Sequence, residues 1–474
     1  MGGLTVERLA PTDAWFLYLE NPSVQMHVTG LLVLDPSTAG DDFGFDTVRR
    51  HYAERTHLIP AFHHRLVEVP LGVDHPVWVD DEHFDIDDHF ERHVLQGSGS
   101  AAGLTDYMSE FVSEPLDRSK PLWQASYIEG LEGGRVAIAT KMHHCTVDGV
   151  GGVNVLMHLV DLSPEPTDRG PAPERRPEPA PGALQVMADA VVNRVQTPLR
   201  PVRSLARTAV SLTGVGRAAA DRWLRGDAEV AHPINAPRTP FNSSVSSQRT
   251  VAIQQISLQD LKAIRRAFGT TVNDVMLAAC AHGLRGYLLA HDELPDRPLV
   301  CSVPVSLHQA ETGGAANQVS DMFVNLPVHV EDPVERLRLI HEGAEGAKEM
   351  QAALGADILG DLVDLIPPPI FQFAGGLYSR LRLADRMAPV HNLVISNVPG
   401  SRDRLYLAGA ELVELFPFGP LVEGTGLNIT ALSHLDDMNI ALMACAELVP
   451  DADAVTEGIV EGVEVLLAAA DQQG

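Results

Sequence analysis

The stretch Lys141–Gly152, KMHHCTVDGVGG, holds the residue types best suited to moving a proton. Histidine titrates nearest neutrality, so an imidazole is the natural group to take a proton from a hydroxyl. His143 and His144 are adjacent, and neighbours on an extended strand point to opposite sides. One ring can then face a cleft while the other anchors inside the fold. The same geometry counts against both rings binding one ion, so no metal site is expected. Asp148 is placed to orient the following loop through an arginine or a backbone amide. Gly149 and the glycines after it leave room for a bulky ligand. Taken alone, His-His-x-x-x-Asp-Gly also fits two hydrogen-bonded core histidines. Cys145 beside His144 suggests a covalent nucleophile, but it has no separate activating base in view. His27, His63, His64, His308 and His434 read as surface or packing residues rather than ligands.

These side chains need elements to hold them. Arg135–Lys141 reads as a strand running into the histidines, Val28–Leu34 as another strand, and Leu104–Val112 as a helix. The mixture predicts an α/β domain over residues 1–162. From Ser163 to Gly182 the composition turns to Pro, Glu and Arg, which predicts an extended connector. Leu184, Met187, Val191 and Val195 then recur at steps of three and four, the pattern of an amphipathic helix. Between Arg194 and Arg225 stand seven arginines and one acidic residue, Asp221. That segment reads either as a solvated helical linker or as an interfacial element for anionic lipid or donor phosphates. Pro198, Pro201, Gly214 and Gly216 interrupt any long helix there. Residues 163–235 thus form a connector, and 236–474 a second lobe. The second lobe shows strand patterns at 251–258, 299–307, 323–330, 392–400 and 427–435. Its helical patterns cover Leu258–Phe268, Asn273–Leu284 and Ala454–Ala469.

Bulk properties bound the partners. At 474 residues the chain exceeds a single ordinary core, so two domains are expected. A formal net charge of −28 repels phosphate backbones, which argues against nucleic acid as a partner. Cys145, Cys280, Cys301 and Cys445 form no CxxC pair, as suits a reducing cytoplasm. The N-terminus lacks a signal-peptide pattern, and no apolar run is long enough to span a bilayer. A cytoplasmic protein is expected, soluble or peripheral at a membrane surface.

The ordered blocks make a resemblance visible. They are LAPTDAWFLYLE (9–20), VWVDDEHFDIDDH (77–89), PLDRSKPLW (115–123), HHCTVDG (143–149), TTVNDVMLAA (270–279), VPVSL (303–307), NQVSDMFVNLP (317–327) and SNVPG (396–400). Together they resemble the bacterial wax ester synthase/acyl-CoA:diacylglycerol acyltransferase family, in its actinobacterial branch. The resemblance runs almost from end to end. It implies two similar lobes of the chloramphenicol-acetyltransferase kind, facing across a central tunnel that admits donor and acceptor from opposite ends. It further implies His144 as the base, His143 as support for the loop, a structural Asp148, and Gly149 keeping the channel open. Pro121, Leu122 and Trp123 are expected to shape or support that channel. Asn273–Asp274 and Asn397–Val398–Pro399 are expected to position the second lobe against the first.

The implied reaction moves a long-chain acyl group from acyl-CoA to diacylglycerol, with long-chain alcohols as a second acceptor class. No cofactor beyond the acyl-CoA substrate is required, and a peripheral place at the inner membrane face or on lipid droplets would suit the substrates. An oxyanion donor is needed, and Asn273 is a candidate. Competing readings are transfer to another hydroxylated lipid or metabolite, and a lipid-binding paralogue with a decayed site. Three positions depart from the family pattern: His308 stands where Arg is usual, and Ala441 and Cys445 where Gly and Asp are expected. They bear on acceptor preference and robustness of activity, not on the reaction class.

Overall fold

The computed structural model describes residues 7–97, 99–146, 151–167, 169, 180–196, 236–306, 319–354 and 368–473. Asp148, Gly149 and His308 lie outside these ranges, as do Asp221, Pro198, Pro201 and the arginines from Arg200 to Arg225.

Chain order first gives β1 (Glu7–Arg8), β2 (His27–Asp35), β3 (His64–Val67), β4 (Val77–Asp80), β5 (Phe90–Val94), β6 (Trp123–Glu129) and β7 (Val136–His143). Strands β1, β4 and β3 make a small antiparallel sheet. The larger sheet places β2, β7, β6 and β5 side by side. Period-two alternation sorts its residues between two layers. Leu31, Val33, Ala137 and Ala139 meet Leu104, Met108, Phe111 and Val112 of the helix Ala101–Ser113. Leu32, Leu34, Tyr127 and Ile138 meet Val48 and Tyr52 of the helix Phe45–Arg55. Because both faces are covered, Leu31–Leu34 reads as an unbroken apolar run.

The second half supplies β8 (Arg249–Ser257), β9 (Leu299–Ser306), β10 (Val319–Leu326), β11 (Leu393–Val398), β12 (Tyr406–Leu407), β13 (Ala410–Phe418), β14 (Leu427–His434) and β15 (Asp437–Cys445). Six of these form a sheet in the order β10-β9-β11-β14-β15-β8, with β11 parallel to both neighbours. The helices Val272–Ala290 and Ala452–Asp471 pack closely beneath it. A Cβ on Gly283 would lie 2.5 Å from the Val455 carbonyl oxygen, so only glycine permits that approach.

The halves interlace. β13 leaves the second half and pairs antiparallel with β2, from Glu411 opposite Asp35 to Phe418 opposite Thr29. With β12 it completes the first sheet as β12-β13-β2-β7-β6-β5. The helix Ala101–Ser113 ties the other side, where the Ser109 and Ser113 hydroxyls accept hydrogen bonds from the β8 amides of Val251 and Arg249 at 3.1 and 2.9 Å.

Two expectations need correction. The strand pattern at 323–330 stops at Leu326, because Pro327 cannot continue the ladder and Val328 and Val330 fold back in a turn. The helix after the connector is present over Ala183–Gln196, but its buried side chains are Val186 and Ala190. Leu184 and Val191, from the expected inner stripe, are exposed. No described helix is long and apolar enough to cross a membrane.

Candidate active site

The strand β7 delivers the histidine pair, and its end sets how the two rings differ. His143 is the last strand residue, while His144 opens a single 3-10 turn, His144–Thr146. Backbone bonds fix both: the His143 amide donates to Leu122 O at 3.0 Å, and the His144 amide to Met26 O at 2.7 Å. Nδ1 of His143 accepts from the Cys145 amide at 3.1 Å, which places the proton of a neutral ring on Nε2. That Nε2 points to Glu20, 3.6 Å from its carboxylate. His27 approaches the other oxygen of Glu20, also at 3.6 Å, and its ring meets His143 edge-on. Arg118 closes the group by donating from Nε to Glu20 at 2.8 Å.

His144 is only partly buried, whereas His143 is 1% exposed. The His144 ring stacks on Phe16 with centroids 3.8 Å apart and planes 17° from parallel. Burial of the ring pushes its pKa down to about 4, and the neighbouring His143 adds to the fall. At neutral pH the ring is therefore an uncharged imidazole with a free lone pair. Burial likewise takes His27 down to about 4 against the pull of Glu20, with Lys141 and His143 contributing. Glu20 goes the other way: burial would raise it, but His143, His27 and Arg118 together hold it well below the usual carboxylate range. Burial drives the Cys145 thiol well above its ordinary pKa, which removes the thiolate a nucleophile would need.

The motif's lysine is structural. Lys141 is fully buried and donates to Phe111 O at 2.7 Å and Glu114 O at 2.8 Å, satisfying carbonyls at the end of the helix Ala101–Ser113. Burial lowers it to about 8.

The other motif residues fall into two groups. Pro121, Leu122 and Trp123 are buried directly behind the histidines, and Trp123 pairs with Met142 of β7. The indole is sandwiched between Phe62 at 4.1 Å and His89 at 4.7 Å, and its N–H donates to Phe62 O. Asn273, Asp274, Asn397, Val398 and Pro399 belong to the second half. Asp274 forms a capping box with Thr271 at the start of the helix Val272–Ala290 and pairs with His341 Nδ1 at 2.8 Å. Asn397 on β11 donates to Asn273 Oδ1 at 3.5 Å, so the two motifs meet each other. Val398 packs against the core of the first lobe. No hydrogen bond joins Asn273 or Asn397 to either motif histidine among the described residues.

Glu20, Phe16 and Arg118 were not singled out by the sequence, and His27 was read as packing. His27, Glu20 and Phe16 lie more than a hundred residues before the histidines. The only trace of Phe16 and Glu20 was the LAPTDAWFLYLE block itself. His63 and His64 are not isolated either: both rings approach Asp80 Oδ1, at 3.1 and 3.3 Å. Of the departing positions, Ala441 and Cys445 are fully buried on β15 within the core shared by both halves.

Known proteins place this arrangement. Residues 9–276 match the wax ester synthase/diacylglycerol acyltransferase catalytic domain, and residues 315–466 the C-terminal domain of the same family. A Mycobacterium tuberculosis protein provisionally named a diacylglycerol O-acyltransferase is 35% identical, over 100% of this chain and 92% of its own length. The O-acyltransferase WSD of Acinetobacter baylyi is 32% identical over 93% of each chain. Among solved structures, a wax ester synthase/diacylglycerol acyltransferase from Marinobacter aquaeolei VT8 superposes with a TM-score of 0.69 at 29% identity, covering 98% of this chain and 100% of that one. The first condensation domain of the CDA synthetase shares the fold alone, with a TM-score of 0.56 at 15% identity over 99% and 98% of the two chains. The α/β architecture with two sheet-bearing lobes, the histidine-bearing strand end and these matches agree: the chain belongs to the wax ester synthase/diacylglycerol acyltransferase family.

Proposed function

We propose that the chain transfers a long-chain acyl group from acyl-CoA to the free hydroxyl of diacylglycerol, and to long-chain alcohols, with His144 as general base. The observation that carries this reading is a neutral imidazole, held at the end of β7 and stacked on Phe16. A neutral ring has one nitrogen with a free lone pair. That nitrogen takes the hydroxyl proton as the hydroxyl oxygen attacks the thioester carbonyl carbon. When the tetrahedral adduct collapses, the C–S bond breaks and the imidazolium returns its proton to the departing thiolate. The products are an ester and free CoA, and the step balances without a covalent enzyme intermediate or any cofactor beyond the acyl-CoA substrate.

The remaining motif residues take supporting parts. His143 and Glu20 fix the turn that carries His144, Asp148 orders the loop beyond it, and Gly149 keeps the approach open. Pro121, Leu122 and Trp123 brace the strand from behind. Asn273–Asp274 and Asn397–Val398–Pro399 register the second lobe (236–474) against the first (1–162), with 163–235 as connector and the acyl channel between the lobes. Asn273 is the candidate oxyanion donor. The lipid acceptors suit a peripheral place at the inner membrane face or on lipid droplets.

Purified protein is incubated with long-chain acyl-CoA and either diacylglycerol or hexadecanol, following free CoA and the lipid product. His144→Ala is expected to lower turnover by about 10²–10⁴. The product ratio reports acceptor preference. Equal turnover in the variant would refute the mechanism.

A further inference from the structure

The helix Pro368–Arg380 turns one face inward and leaves the other bare. Its Phe371 packs edge-on against Trp15 at 4.9 Å, on the helix Pro11–Leu19 that also carries Phe16. Its outer face presents Ile370, Phe373 and Leu377 to solvent, with Phe373 72% exposed. Beside it lies the turn Pro70–Gly72, packed so closely that a Cβ on Gly72 would sit 2.6 Å from a Pro369 side-chain carbon. Leu71, at the tip of that turn, is 85% exposed and held at φ 60, a conformation leucine rarely adopts. The same turn contacts the helix Ala183–Gln196, whose outer face shows Leu184 and Val191. Three separate elements thus form one neighbourhood of large exposed apolar side chains, the kind of patch that marks an interaction surface.

Charge says what covers it. The chain as a whole carries −28, yet residues 368–391 contain Arg380, Arg382 and Arg386 against the single acidic residue Asp385. All three arginines are exposed, and among the described residues only Arg382 has an acidic partner, Asp385 at 2.6 Å. The helix Ala183–Gln196 leads in sequence straight into the arginine-rich stretch 194–225. Apolar side chains flanked by cations, on a protein otherwise repelled by negative surfaces, match the headgroup region of an anionic bilayer.

We infer that the outer face of the helix Pro368–Arg380, with the Leu71 turn and the helix Ala183–Gln196, docks the protein on an anionic lipid surface. Phe371, Trp15 and Phe16 then place the docked face one helix away from His144, so a lipid acceptor reaches the base from the membrane side. The direction of supply rests on the acyltransferase reading, but docking does not, and flotation measures docking without catalysis.

The test uses the full chain and vesicles of phosphatidylcholine, with and without phosphatidylglycerol. Wild type should float with the anionic vesicles and bind the neutral ones more weakly. Ile370→Gln/Phe373→Gln should weaken anionic binding by about tenfold or more. It should leave CoA release with a detergent-dispersed alcohol unchanged, which also shows that it folds. Arg380→Gln/Arg386→Gln should abolish the preference for anionic over neutral vesicles. Leu71→Asn, which tolerates the left-handed backbone while removing the apolar tip, gives an independent variant. Failure of wild type to float overturns the inference, as does undiminished flotation of the Ile370/Phe373 variant. So does a wild-type dimer that the same variant converts to monomer, because the face would then be a contact between copies of the chain.

Discussion

Both halves of the molecule present a six-stranded sheet, but the polar groups buried around the two sheets differ in kind. Around the first sheet lie His27, His51, Lys141 and His143, titratable groups removed from water. His27 and His51 are pushed to about 4 and Lys141 to about 8, with burial the leading cause for each. Around the second, amides and hydroxyls predominate and their bonds serve the backbone. Asn392 and Asn242 hydrogen-bond each other and clasp Pro237 O and Gly424 O, while Asp274 caps a helix. In the lobe that carries His144 the buried titratable groups gather at one point, where His27, His143 and Arg118 surround Glu20; in the second half burial also lowers Arg249 to about 10 and His391 to about 4. The second lobe supplies a rigid, mostly apolar frame.

Three measurements test this contrast. Asp274→Ala removes half of a capping box and the partner of His341, and should cost roughly 2–3 kcal/mol in chemical denaturation. Its kcat/KM per folded molecule should stay within about twofold; a loss of activity without loss of stability would mean that Asp274 acts in the chemistry rather than in the frame. Glu20→Gln should cost about 1–2 kcal/mol at neutral pH, since it unpairs a buried group around His27, His143 and Arg118. Because the Glu20 pKa is depressed on folding, its contribution is full above the ordinary carboxylate range and is lost as pH falls through the folded value. Wild type and variant should therefore converge in strong acid, and a constant gap would show that its charge is irrelevant.

The smallest effect is on the pH profile. With His144 near 4, kcat/KM should stay nearly flat from neutrality down to about pH 5 and fall only below it. An acid limb centred near 6.5 would put the base outside a desolvated pocket. His27 also bears on stability, because the unfolded chain takes up its proton below about 6.5 and the native ring does not until about 4. Between those values it should remove about 1.4 kcal/mol per pH unit.

Local pattern carried much of the fold. The histidine strand, the Val28–Leu34 strand and the helices around Leu104–Val112 and Asn273–Leu284 all stand close to where their periodicity puts them. What escaped was set by distant contacts. Glu20 reaches His143 only after the helix Pro11–Leu19 docks beside the strand end, and no spacing in the sequence encodes that meeting. The helix Ala183–Gln196 has apolar residues on two faces, so periodicity identified the helix but not the side it buries. Nothing local marks Ala410–Phe418 as belonging to the first sheet. The two-lobed fold and the histidine pair were legible through the family resemblance, while the roles of Asp148 and Gly149 rest on that resemblance alone.

The crossing of β13 into the first sheet also sets an order of assembly. A chain emerging from the ribosome must reach about Phe418 before β2 gains its second neighbour, so the lobe made first is finished last. Until then β2 presents an unpaired, apolar edge of the kind that recruits foreign strands. Cutting the gene at the connector would leave that edge open permanently. The lobe that carries the proposed base therefore depends on nearly the whole chain having been made.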